Sequence, residues 1–306
     1  MKWPVGTDAG SHEAYAYSGG KAFDAQLPCV VFVHGAMHDH SVWTLLARWF
    51  ANHGHAVLAP DLPGHGRSGG PPLASVEALA DWLLTLLDTA GVGSAALVGH
   101  SMGSLIALEA AARAPARATR LVMVGTAFPM KVSAALLQGA RDDVAAAIDS
   151  VTAFSHASLA AKPSHPGPGT WLHGANRALM RRMQAGQPGA NLFLNDFEVC
   201  DRYGGGLAAA ARVTCPTTLV LGARDQMTMP RFAIDIGAAL RAETITLACG
   251  HAIRILFERI QAIQKGAHRE HGARAGGRLE SVEHECVLLG VVATKHRPRA
   301  LEAGLV

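Results

Sequence analysis

The sequence predicts an α/β protein, with a mostly parallel, doubly wound sheet and an inserted helical lid. Three observations carry this. Short apolar, β-branched runs alternate with amphipathic segments from Cys29 to Gly125, the pattern of parallel strands covered by helices on both faces. The alternation stops between residues 126 and 212, where helical periodicity takes over, and resumes at Thr217. A glycine-flanked serine, Gly99-His100-Ser101-Met102-Gly103, stands where one strand turns directly into a helix, the context that gives Gly-x-Ser-x-Gly its chemical meaning.

The elements follow in order. His12 to Tyr17 reads as an edge strand ended by Gly19-Gly20. Cys29 to Val33 is a continuous apolar run, expected for a strand buried on both faces. Ser41 to Asn52 is helical, with Val42, Leu45, Leu46, Trp49 and Phe50 on one side and Ser41 as the expected N-cap. Ala56 to Ala59 is the next strand, and a loop runs from Pro60 to Gly70. Ser75 caps a helix that reaches Thr89 on Val76, Leu79, Leu83, Leu86 and Leu87. Ala95 to Val98, the serine turn, and a helix over Ser104–Ala114 come next, then a strand at Leu121 to Gly125. Side chains at Gly99 and Gly103 would collide where that strand and helix cross.

Ala134 to Val151 and Trp171 to Gln184 read as helices, separated by the proline- and glycine-rich loop Lys162 to Gly169. A strand at Thr217 to Leu221, a helix near Arg231 to Leu240 and a strand at Thr244 to Leu247 complete the rhythm. The expected division is therefore a core of residues 1–126 and 212–265, a lid of residues 127–211, and a tail of residues 266–306 that does not fit the sheet. The tail is expected to be peripheral or out of frame relative to an ancestral ending.

Composition narrows the functional classes. The chain has 306 residues, about half of them hydrophobic, and a net charge of +3 with histidines neutral. That balance gives no reason to expect nucleic acid or an acidic membrane surface as partner. Five widely spaced cysteines, without a C-x-x-C pair, are expected as reduced thiols in a cytoplasmic protein. Met1 to Gly6 lacks the apolar stretch of a signal peptide, and no run approaches a membrane span.

A serine hydroxyl needs a base to take its proton, and the base needs a carboxylate to orient it. In this topology the order along the chain should be serine, acid, histidine. Asp225 follows the strand Thr217 to Leu221, and His251 follows the strand Thr244 to Leu247. Each is expected at the carboxyl end of its strand, on the side of the sheet where Ser101 stands. A plain turn aspartate is the competing reading of Asp225. The position after the strand Leu121 to Gly125 holds Thr126-Ala127 and offers no other acid.

These residues, with His34-Gly35, Asp61-Leu62-Pro63-Gly64-His65-Gly66-Arg67-Ser68, Gly222-Ala223-Arg224-Asp225 and Gly250-His251, resemble the α/β-hydrolase superfamily over residues 30–251. The style is that of its lidded esterase, lactonase and C–C bond hydrolase members. The resemblance implies the α/β-hydrolase fold, Ser101 as nucleophile, Asp225 as acid and His251 as base. It also implies an oxyanion hole from the backbone N–H groups of Ala36 and Met102. It implies a small-molecule acyl substrate, no cofactor and no metal, and leaves a homodimer open. Relatives that open epoxides or remove halide need an aspartate where Ser101 stands.

The expected activity is cleavage of a small or medium carboxylic ester, lactone or thioester. The alternatives are C–C bond hydrolysis of a diketo acid, with Arg177, Arg181 and Arg182 as a carboxylate clamp, transfer of the acyl group to another alcohol, or a low-turnover ligand sensor on the same fold. Trp171, Met180, Met183 and Phe193, with Leu192, are the candidate pocket residues. His34, His65 and His100 read as structural loop residues. His38, Asp39 and His40 lack a third spaced metal ligand and read as solvated loop. Asp61 reads as a turn-stabilising residue, and Asp196 and Asp201 as surface residues.

Overall fold

The computed structural model describes residues 1–7, 10–156 and 172–252. In chain order the strands are β1 (Lys2–Thr7), β2 (Gly10–Tyr17), β3 (Cys29–Val33), β4 (Ala56–Pro60), β5 (Ala95–His100), β6 (Ala118–Val124), β7 (Thr217–Gly222) and β8 (Glu243–Leu247). They form one sheet in the order β1-β2-β4-β3-β5-β6-β7-β8. β1 pairs antiparallel with β2, and β2 antiparallel with β4. From β4 to β8 every pairing is parallel.

The central strands are buried along their length, as their continuous apolar sequences require. Alternate residues serve opposite faces. Val31, Leu97 and Met123 share one apolar core with Leu83 and Leu86 of α2 (Val76–Thr89) and Ile106 of α3 (Met102–Arg113). Phe32 turns the other way, to α1 (Thr44–Asn52), where its ring lies 5.7 Å from Phe50 and 5.1 Å from Trp43. Full burial of each such side chain contributes about 1.5–3 kcal/mol.

Between β6 and β7 the chain forms α4 (Ala134–Asp142), α5 (Val144–Phe154), α6 (Leu172–Ala185), α7 (Leu192–Arg202) and α8 (Gly206–Ala210). Most of these enclose an apolar cluster of their own, with Ile148, Met183, Leu192 and Phe193. A further helix, α9 (Ile234–Ala239), joins β7 to β8 and buries Ile236.

Three local expectations are corrected. The amino-terminal edge is a hairpin of β1 and β2, where one strand was expected. Val5 is the buried residue of β1 amid exposed neighbours, which leaves little periodicity to read. Ser41 is not a helix cap. Asp39 caps a 3-10 turn over His40–Trp43 through the Ser41 N–H, and α1 begins after it. The segment 134–151 is two helices, because the Asp143 carboxylate accepts from the N–H groups of Ala145 and Ala146 and starts α5 anew. Ser75 does cap α2, accepting from Ala78 N–H at 3.1 Å. Residues 253–265 of the expected core and the tail of residues 266–306 lie outside the described residues. Among the described residues, no helix is long and apolar enough to cross a membrane.

Candidate active site

The strand-end loops of the parallel sheet meet at Ser101. The serine sits between β5 and α3 with φ 53° and ψ −122°, a conformation non-glycine residues adopt only when their surroundings enforce it. Those surroundings are visible. A Cβ on Gly99 would lie 2.0 Å from the Gly103 carbonyl oxygen, and one on Gly103 would lie 2.4 Å from that of Val33. Only glycine at both positions lets helix and strand cross this closely. The Ser101 N–H donates to Val124 O at 2.9 Å, and its carbonyl accepts from the Ser104 N–H and hydroxyl. The Ser104 hydroxyl also meets that of Thr126 at 2.8 Å, and both residues are fully buried. Ser104 and Thr126 thus brace the turn.

Asp225 and His251 come together as neighbouring loops. Ala223 N–H donates to Leu247 O and Arg224 N–H to Cys249 O, at 2.7 and 2.9 Å, which ties the loop after β7 to the loop after β8. His251 Nδ1 lies 2.8 Å from Asp225 Oδ2. The carboxylate accepts, so Nδ1 carries a proton, and in the neutral tautomer this selects, Nε2 bears the lone pair. The other carboxylate oxygen accepts from the N–H groups of Met227 and Thr228, both at 2.8 Å. The Thr228 hydroxyl lies 2.8 Å from Asp225 Oδ2 and 3.0 Å from His251 Nδ1. Burial alone would raise the Asp225 pKa; the His251 ring and the Thr228 donors outweigh it and hold the carboxyl below its ordinary range.

His100 is a spacer between the two halves. Its Nε2 donates to the His251 backbone oxygen at 3.0 Å. Burial, with the His251 and His38 rings acting in the same direction, pushes its pKa down to about 3, so the ring is neutral. Gly35 approaches closely enough that a Cβ there would lie 3.1 Å from both His100 Nδ1 and Ser101 Cβ.

Ser101 and His251 wall one pocket, together with Gly35, Ala36, His38 and Thr228 from the core loops. The facing walls are Met130, Val132, Val151, Met180, Phe197 and Met227, mostly from the segment between β6 and β7. Of the expected pocket residues, Met180 is there. Met183 and Phe193 are not: both are buried in the apolar cluster of the inserted helices, and Leu192 with them. Phe193 stacks on Phe197 at 4.3 Å, and the pocket is reached one helical turn later, by Phe197. Trp171 lies outside the described residues. Met102, the first residue of α3, is fully buried.

Several polar expectations are revised. Residues 38–40 are a packed polar turn and not solvated loop: Asp39 is buried and paired with Arg182 at 2.8 Å. Burial opposes the Asp39 charge, yet the Ser41 and Arg182 donors bring its pKa down to about 2. His40 and Arg67 donate to Asp61, which organises the turn as expected. Arg177 and Arg181 face Asp149 on α5, so all three arginines of the supposed clamp are directed at protein carboxylates. Asp196 is buried, not exposed. It accepts from Met37 N–H at 2.9 Å and from His65 Nε2 at 2.8 Å. Among the described residues, no group of three or more His, Cys, Asp or Glu could hold a metal ion.

A family model described as alpha/beta hydrolase fold matches residues 28–256, three quarters of the chain. The chain belongs to the α/β hydrolase fold family. The sn-1-specific diacylglycerol lipase ABHD11 of Mus musculus is 39% identical over 102 residues, and the lipase LipV of Mycobacterium tuberculosis 35% over 101. Each alignment takes in 33% of this chain, with 33% of the first relative and 38% of the second. The chain therefore matches little more than a third of the length of these curated relatives. An esterase of Exiguobacterium antarcticum has the same fold, with a TM-score of 0.70 at 17% identity, covering 88% of this chain and 99% of that one.

Proposed function

We propose that this member of the α/β hydrolase fold family is a serine hydrolase of carboxylic esters, with lactones and thioesters as related substrates. The observation that carries the reading is the Asp225–His251 pair, whose hydrogen bond leaves His251 Nε2 as a base in the pocket that Ser101 also walls. Ser101 Oγ attacks the acyl carbonyl while His251 takes its proton. The backbone N–H groups of Ala36 and Met102 hold the oxyanion, Met102 with the help of the α3 amino terminus. Each such donor is worth about 2.7–4 kcal/mol in the transition state. His251 then protonates the leaving alcohol and afterwards activates water against the acyl-enzyme. Asp225 fixes the histidine tautomer and stabilises its charged form.

The methionine, valine and phenylalanine walls support an apolar group beside the carbonyl, in keeping with the lipase and esterase names of the relatives. The engagement of Arg177, Arg181 and Arg182 by Asp149 and Asp39 removes the main support for a diketo-acid C–C hydrolase.

A panel of p-nitrophenyl esters of rising acyl length, with a fluorophosphonate probe, tests the reading. Probe labelling confined to Ser101, with turnover abolished by Ser101→Ala, is the expected result. Labelling without turnover would turn the reading into that of a ligand sensor. Absence of labelling would remove Ser101 from the mechanism.

A further inference from the structure

Among the described residues, His65 and Asp196 form a deeply buried ionisable pair apart from Asp225 and His251. Both are 2% exposed. They come from opposite parts of the chain: His65 from the loop after β4, Asp196 from α7 of the inserted helices. A merely structural histidine in such a place would be neutral, donating through one ring nitrogen and accepting through the other, as His34 does: its Nδ1 faces Gly35 O and its Nε2 accepts from Leu62 N–H. His65 differs. Its Nδ1 faces Pro63 O at 3.0 Å and its Nε2 faces Asp196 Oδ2 at 2.8 Å. Pro63 O can only accept. Asp196 Oδ2 already accepts from Met37 N–H. Both ring nitrogens therefore carry protons, and the pair is an imidazolium and a carboxylate.

The third member of this contact is Met37. It has φ 60°, in the left-handed region, and directly follows Ala36, which lines the pocket. The Asp196 carboxylate is thus the acceptor that holds the strained end of the loop carrying Ala36. His38, on the other side of Met37, is tied back to Ala36 O at 2.6 Å and to Asn176 Oδ1 of α6 at 2.8 Å. We infer that Asp196, held in place by charged His65, is a positioning residue through which the inserted helices set the Ala36 N–H against the developing oxyanion. This inference rests on the proposed role of Ala36.

The electrostatics agree with the geometry. Burial works against a charge on His65, but Asp196 and the Pro63 carbonyl outweigh it and raise its pKa. Asp61 acts in the same direction. His34, 5.0 Å away between ring centroids, is driven to a pKa of about 4 by burial and by the His65 charge. Burial likewise opposes the Asp196 charge, and His65 and the Met37 N–H reverse it.

The test compares Asp196→Ala, Asp196→Asn and, as control, Gln187→Ala. Gln187 also ties the insertion to the core, but through Gly64 O, to which it donates at 2.9 Å. Misplacing a reacting group by about 1 Å costs on the order of 100-fold. Asp196→Ala is expected to lower kcat for a p-nitrophenyl ester by about 10- to 100-fold with KM little changed, the pattern of a contact made in the transition state. Asp196→Asn keeps an acceptor for Met37 and loses the charge, so it should fall between wild type and Asp196→Ala. Gln187→Ala should leave kcat unchanged.

Two measurements do not depend on turnover. Nitrogen-15 spectra should show the wild-type His65 ring doubly protonated at about pH 7, and Met37 amide exchange should accelerate strongly in Asp196→Ala and less in Asp196→Asn, whose neutral and weaker acceptor serves as the measurement if Asp196→Ala does not fold. A neutral His65 ring, unaltered Met37 exchange, or losses in Asp196→Ala confined to KM would overturn the inference while leaving the ester-hydrolase reading intact. A wild-type chain without esterase activity would fail the hydrolase reading, and with it the role given to Ala36.

Discussion

Thr228→Val isolates one hydroxyl at the centre of the site. The substitution keeps the side-chain shape and the Thr228 N–H donated to Asp225 Oδ1. It removes the donor that lies 2.8 Å from Asp225 Oδ2. Asp225 and Thr228 are 4% and 3% exposed, so solvent offers little replacement. A hydrogen bond to a charged group contributes about 1.5–3 kcal/mol, and a shift of one pKa unit corresponds to about 1.4 kcal/mol. Its loss would let the Asp225 pKa rise back toward the ordinary carboxylate range.

The sign follows from the direction of the wild-type shift. The folded-state pKa of Asp225 is depressed. Its contribution to stability is therefore present above the unfolded value of about 3.9 and is lost as pH falls through the folded value. Thr228→Val shrinks that contribution. Urea unfolding should show the variant about 1.5–3 kcal/mol less stable near pH 7, with the gap closing below about pH 4. A gap that stays constant from neutral to acid pH would assign the loss to packing and refute the role given to the hydroxyl. In the same variant, kcat should fall by about 10-fold as the His251 ring loses a lateral support.

Three more outcomes follow from the geometry. Asp225→Asn should leave the fold in place and reduce kcat by about 10⁴-fold, because an amide can impose the wrong histidine tautomer; ester kinetics beside circular dichroism check this. Ser101→Gly, in thermal unfolding, should be more stable than wild type by about 1 kcal/mol although inactive, since glycine relieves a strain of about 1–3 kcal/mol at φ 53° and returns part of it as chain entropy. Arg182→Ala should cost less than about 1 kcal/mol in the same assay despite its 2.8 Å contact with Asp39, because the arginine side chain is 62% exposed and solvent screens the pair.

The parallel core was legible because its signals are local. Cys29–Val33 is a fully buried strand and reads as an unbroken apolar run. Ser75 caps its helix with a side chain three residues from the N–H it accepts. The expected order of Ser101, Asp225 and His251 could be read from topology, as the loops that carry reactive groups come at the ends of parallel strands. What could not be read depends on contacts between distant segments. Asp196 looks like any polar residue of an amphipathic helix until the fold sets it against residues 159 and 131 positions away, Met37 and His65. Met183 and Phe193 have the same apolar chemistry as Met180 and Phe197, and only the packing of α6 and α7 decides which of them meet the pocket. Thr228 was within reach: it stands three residues after Asp225, the spacing at which an aspartate commonly accepts from the backbone of its own turn.

The inserted helices are joined to the strand-end loops by buried polar contacts, and this bears on how the site can vary. Asp196 holds Met37, Asn176 holds His38, and the Ser155 carbonyl accepts from Ala252 N–H, next to His251, at 2.8 Å. Each tether ends beside a residue to which the proposed mechanism assigns a task. Val151, Met180 and Phe197, which form the apolar walls, lie within one or two turns of the same tethers. Replacing wall residues with others of similar volume should leave the fold in place and, under the proposed reading, alter which substrate fits. Replacing α5, α6 or α7 as whole helices would also release the loops that hold Ala36 and His251, so such exchanges should preserve activity only when Ser155, Asn176 and Asp196 keep their places.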